Sequence, residues 1–267
     1  MSAVFAALFG TPLTATIFAI EVVSVGVFQY SALMPCIISS MTAYGISIAF
    51  GATPTAFTVT AEPVGVLMMV RVLVLAAACA VISIIFCEAM HHISKRMGIV
   101  FKNTMIKGLF GGLIVLALTL LLNTTIYNGA GDAIIKAAIE EGQSPTFAFI
   151  WKILFTAISI GCGFKGGEIV PSFFIGACFG CVFGPLLGIP AGFAAAIGLV
   201  ALFCGSFNCP IAAIILSVEL FGADGLIYFA AASGVSYMLS GYFGIYESQK
   251  IVYSKVRTEI VNRYVKK

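Results

Sequence analysis

The chain has 267 residues, 61% of them hydrophobic and only 9% charged, with a mean hydropathy of +1.11. Such a surface charge is too sparse for water, so composition excludes a soluble enzyme, a disordered tail and a disulfide scaffold, and indicates an integral membrane protein. Fourteen Lys and Arg against eleven Asp and Glu leave +3, too little to imply a nucleic-acid partner and informative mainly through placement.

At about 20 apolar residues per spanning helix, the length predicts roughly seven to nine buried helices in one intramembrane domain over 1–267. In chain order, apolar runs predict helices near 4–29, 31–50, 64–90, 104–122, 146–161, 169–188, 191–205, 209–221 and 225–241. The opening run lacks the basic flank of a signal peptide, and Thr11-Pro12 interrupts it as a helix start, so it is read as structure. Several runs are too short to span. Short apolar helices broken by Gly and Pro are the mark of discontinuous membrane helices, whose freed backbone groups line a polar cavity. Six of the cysteines (Cys36, Cys79, Cys87, Cys162, Cys204, Cys209) lie in apolar runs, where a small thiol packs between helices.

Basic residues gather in two places. The stretch His91–Lys107 carries Lys95, Arg96, Lys102 and Lys107 without an acid, and the tail carries Lys250, Lys255, Arg257, Arg263, Lys266 and Lys267. The positive-inside rule assigns both to the cytoplasm. Between them, 123–144 holds Asp132, Glu140 and Glu141 against Lys136, and is the candidate extracytoplasmic loop.

An internal repeat organises the chain. FGTPLTATIFAIEV at 9–22 aligns without gaps to FNCPIAAIILSVEL at 207–220, with five identities and the same grammar of Pro at a helix start and an acid nine residues later. Repeated halves are common in transporters. The division expected is the end of a first repeat over about 1–100, a second over about 101–245, and a cytoplasmic C-terminal helix over about 246–267. Glu21 and Glu219 read as structural helix-end residues. The second copy is preceded by GGEIVPSFFIGA at 166–177, so the counterpart of that element falls about 27 residues before Met1. The chain is therefore expected to be a fragment or a truncated half.

GGEIVPSFFIGA, followed by CFGCVFG, is the densest signal. Gly166 and Gly167 permit a sharp turn, Pro171 suits a first helical turn, and Gly176, Gly180 and Gly184, four apart, permit close helix contact. A helix starting in mid-membrane presents free N–H groups and the positive end of its dipole, which holds a small anion without a full cationic charge.

These residues, with GTPLTATIFAIE and NCPIAAIILSVEL, resemble the C-terminal part of the CLC family of chloride channels and anion/proton antiporters, over nearly the whole chain. The resemblance implies an all-α polytopic fold of inverted repeats with broken, tilted helices, lacking the N-terminal part of the first repeat. It implies a homodimer in the lipid bilayer with one anion pathway per subunit, no enzymatic activity and no cofactor, chloride or fluoride being the transported ion. A bacterial-type plasma membrane is the expected location. Carried over by position, Gly167, Glu168 and Ile169 fall on the backbone anion site, and Tyr253 in IVYSK falls on the tyrosine whose hydroxyl contacts the anion.

Two positions depart from the common chloride pattern. Glu168 stands where an apolar residue is usual; an intramembrane carboxylate is costly and generally functional, which makes Glu168 the candidate gating or proton-linked residue. It resembles the fluoride/proton antiporter branch, although Val170 replaces the Thr that branch carries, which leans the reading to chloride. Val22 stands where proton-coupled chloride antiporters have a second glutamate, and argues against that proton route. The expected function is a CLC-type chloride channel or transporter; the alternatives are a fluoride/proton antiporter and a non-conducting half-protein.

Other patterns lack their partners. Cys178 and Cys181 form one CxxC without a second pair or a nearby His. Glu88 with His91 is half of a di-iron Glu-x-x-His arrangement. GAGD at 129–132 resembles an intramembrane aspartyl protease motif, but Asp132 sits in the most polar loop.

Overall fold

Inside a bilayer every backbone N–H and C=O has to be paired within the protein, and helices achieve this locally. The computed structural model describes residues 1–257 and 259–265, and eleven α-helices are present among them: α1 Ser2–Phe9, α2 Pro12–Glu21, α3 Leu33–Ala49, α4 Val66–Val100, α5 Thr104–Leu122, α6 Asp132–Lys136, α7 Ala148–Gly161, α8 Ile169–Phe183, α9 Ala191–Phe207, α10 Pro210–Phe221 and α11 Leu226–Leu239. Segments Tyr30–Ala49, Val66–Val100, Thr104–Leu122 and Ile169–Leu187 are long and apolar enough to cross a membrane. Five shorter apolar helices are broken ones. The helical membrane fold expected from composition is present. Lys266 and Lys267 of the basic tail lie outside the described residues.

Three expectations are corrected. The run at 4–29 is two helices. Gly10 ends α1 in the left-handed conformation (φ 71°), with the Pro54 backbone where a Cβ would sit, and Pro12 restarts the chain as α2. The run at 64–90 continues to Val100, because polar His91–Arg96 keep helical backbone bonding past the apolar stretch. The C-terminal segment is extended rather than helical: β2 Lys250–Tyr253 pairs in parallel with β1 Ser24–Val25 and antiparallel with β3 Ile260–Tyr264. Alternation in Lys250-Ile251-Val252-Tyr253 suits a strand, with Ile251 buried against Val25 and Val265.

The two repeat copies share their backbone. Phe9-Gly10-Thr11-Pro12 and Phe207-Asn208-Cys209-Pro210 both run helix, left-handed residue, extended residue, Pro, helix: φ is 71° at Gly10 and 60° at Asn208, then −119° at Thr11 and −123° at Cys209. Helices α2 and α10 pack antiparallel and cap each other. The Glu219 carboxylate accepts from the N–H groups of Leu13 (2.9 Å) and Thr14 (2.8 Å), and that of Glu21 accepts from Ile211 (3.2 Å) and Ala212 (2.9 Å). Each glutamate therefore satisfies orphan donors of the other repeat's helix start.

The core is centred on α8 and α9. A Cβ at Gly176 would lie 2.4 Å from the Gly198 carbonyl oxygen, and one at Gly180 would lie 2.1 Å from that of Ala194. The predicted small-residue face is what lets these two backbones touch.

Candidate functional site

Helix α7 ends at Gly161, and residues 164–167 carry no regular structure before α8 begins at Ile169. The first backbone bond of α8 runs from the Ser172 N–H to the Glu168 carbonyl (3.1 Å). Pro171 has no N–H, and among the described residues Gly167, Ile169 and Val170 donate no backbone bond within the protein. Three unbonded donors and the positive end of the helix dipole therefore lie at the start of α8.

That point opens into a cavity of about 620 Å³ lined by Gly167, Val170, Lys165, Lys152, Thr156 and Ser159 among others. Glu168 is the N-cap residue, yet its side chain does not cap the next turn. Gly167 is exposed to the cavity, and Glu168 and Ile169 are half-buried. Of the three residues the sequence singles out, Gly167 lines the cavity, while Glu168 and Ile169 lie at the helix start beside it.

Tyr253 ends β2, is 45% exposed, and packs its ring against the Gly26 backbone. Tyr246, in the turn that precedes β2, is within electrostatic range of Glu168 and half-buried, with its ring 5.5 Å from that of Phe207.

Dense bonding holds the turn that carries Tyr246. Ile245 donates to Ser206 O (3.0 Å), the Asn208 amide to Phe243 O (3.0 Å), and Gln249 N–H to Tyr246 O (3.0 Å). His91, buried on α4, bonds Gly244 O through Nε2 (2.8 Å) and faces Glu247 through Nδ1 (3.4 Å). The Gln249 amide, also buried, donates to Val22 O and Phe207 O (both 2.8 Å) while its oxygen accepts from Asn208. Lys255 completes the knot through Asn208 Oδ1, Tyr237 O and Ser240 Oγ, and burial pulls its ammonium down to about 8. The turn is thereby tied to the helix break at 206–209.

A family profile described as voltage gated chloride channel matches residues 1–241. A chloride/fluoride channel protein of Pseudomonas syringae pv. tomato is 33% identical over 261 residues, which cover 96% of this chain and 58% of that protein. An H(+)/Cl(-) exchange transporter, ClcA, of Yersinia pestis is 34% identical over 129 residues, 45% of this chain and 26% of that protein. Among solved structures, that of a CLC-type fluoride/proton antiporter superposes with a TM-score of 0.89 at 30% identity, covering 93% of this chain and 63% of that one. A eukaryotic CLC transporter shares the fold, with a TM-score of 0.67 at 21% identity, over 88% of this chain and 41% of that one. The chain spans less than two thirds of the length of each of these proteins.

Proposed function

The chain belongs to the voltage-gated chloride channel family of membrane anion transporters, and from that premise we propose that it moves a halide across the membrane through the start of α8. The observation that carries this reading is the set of free N–H donors at Gly167, Ile169 and Val170, with Gly167 and Val170 lining the cavity and the Glu168 carboxyl at the same helix end. Backbone donors replace part of an anion's hydration shell without trapping it on a full positive charge. We propose the Tyr246 phenol, within electrostatic range of the same glutamate, as a further donor.

Of the halides, we favour fluoride exchanged for protons. The two relatives covering most of the chain carry fluoride in their names, and a titratable carboxyl at the donors couples anion and proton. Ionised, Glu168 repels an anion at these donors; protonated, it does not. Chloride is the second reading, favoured by Val170, which offers no hydroxyl to a strongly hydrated ion. The working unit we propose is a homodimer in a bacterial plasma membrane, in line with the bacterial relatives.

Efflux of fluoride and of chloride from liposomes containing the protein tests this. Fluoride efflux is expected to exceed chloride by about tenfold or more, equivalent to about 1.4 kcal/mol, and to rise as pH falls. Glu168→Gln, which cannot ionise, is expected to flatten the pH profile at the low-pH rate. Efflux no greater than from protein-free liposomes overturns the transport reading and favours a non-conducting protein. Chloride equal to or faster than fluoride selects the second reading.

A further inference from the structure

We infer that the Lys152 amine is a second binding point for the anion, in the same cavity but a helix length away from the α8 start. This inference rests on the proposed anion pathway and extends it to a residue that carries a full charge.

Lys152 is 2% exposed. Its ammonium donates to the carbonyls of Tyr127 (3.2 Å) and Gly129, and lies 5.0 Å from the centre of the Phe174 ring. These partners are dipoles and a ring, not charges. Among the described residues no carboxylate lies within ion-pair distance of it, and Asp132, on α6, is the acid within longer electrostatic range. An ammonium taken out of water without a counter-charge is costly, and such a residue inside a membrane protein marks an ion path. Two carbonyls use two of its three N–H donors, and the cavity adjoins the side chain.

The rest of that helix face agrees. Thr156 and Ser159 lie four and seven residues on, so they share the face of Lys152, and both line the cavity. Neither hydroxyl has a protein hydrogen-bond partner among the described residues. The stripe runs along α7 toward the turn that leads into α8, with about 14 Å of helix between Lys152 and Gly161. An amine, two hydroxyls and then a helix N-terminus form a graded series of donors. The ligand class this suits is a small monovalent anion, bound weakly enough at each point to move on.

The test is calorimetric titration of fluoride and chloride into detergent-solubilised wild type, Lys152→Arg and Lys152→Met. Lys152→Met is expected to weaken binding by about tenfold, as loss of a charge-assisted bond would, while Lys152→Arg stays within about twofold of wild type. Unchanged affinity in Lys152→Met, with wild type binding and transporting normally, overturns this inference alone. Wild type that neither binds nor transports overturns the anion pathway itself. Should Lys152→Met give no monodisperse protein, anomalous scattering from wild-type crystals soaked in bromide decides. A bromide peak within hydrogen-bonding distance of Nζ supports the site, and an amine without one overturns it.

Discussion

A hydroxyl and a carboxyl separate the roles of single residues here. Tyr246 lies within electrostatic range of Glu168 at the start of α8, whereas Tyr253 stands on a half-exposed strand end. A phenol that donates to the anion contributes about 1 kcal/mol net, so Tyr246→Phe is expected to weaken halide binding about fivefold. Tyr253→Phe is expected to leave it unchanged, since its ring packing against Gly26 needs no hydroxyl. Titration of both variants with the same halide checks this; equal effects, or a larger one from Tyr253→Phe, would remove Tyr246 from the site. The helix start that carries Gly167, Glu168 and Ile169 was legible in the sequence, because it depends only on where a helix begins. The role proposed for Tyr246 was not, because it depends on how a distant segment packs.

Helix ends are the units that matter at the next scale. Pro12 and Pro210 start α2 and α10, and Glu21 and Glu219 close the antiparallel pair by capping one another's starts. Water is scarce at such depth, so truncating either acid strands two N–H donors. Glu219→Ala is expected to cost about 1–3 kcal/mol, measured by equilibrium unfolding in mixed micelles. Glu21→Ala is expected to cost the same, because the geometry is repeated. Loss of one cap splays the pair and strains the other, so the double variant is expected to lose less than the sum. Strict additivity would show two independent caps. The reading of both acids as helix-end residues follows from the nine-residue spacing; their exchange between repeats required the packed structure.

Across the whole molecule, apolar surface and charge are sorted by position. The C-terminal part of α4 and the segment after α11 meet through His91, Gly244 and Glu247. Helix α10 exposes Ile211 and Val218 with Ile214 and Ile215 half-buried between them, and α2 exposes Leu13 beside it. This stripe is the surface expected to pair two copies. Trp at Ile214 or Ile215 overfills such a contact and is expected to shift the population toward monomer, read by light scattering of the detergent-solubilised protein. A dimer unmoved by both variants would place the contact on another face.

Composition, hydrophobic runs, proline starts and the repeat already determined a helical membrane protein with short helices and a repeated Pro-to-Glu element. Those features are local: an apolar run seeks lipid or core wherever it lies, Pro12, Pro210 and Pro171 suit first turns by their own geometry, and Gly10 and Asn208 adopt positive φ by their own chemistry. Only the tertiary structure decided that Tyr246 comes within electrostatic range of Glu168, that the C-terminal segment pairs with Ser24 and Val25 as strands, and that Lys152 is buried with no carboxylate at ion-pair distance among the described residues. Each of those depends on groups far apart in the chain. A side chain's partner is set by the packing of α8 on α9 and by the bonds that tie residues 243–249 to the break at 206–209, and no window of sequence contains both sides of those contacts.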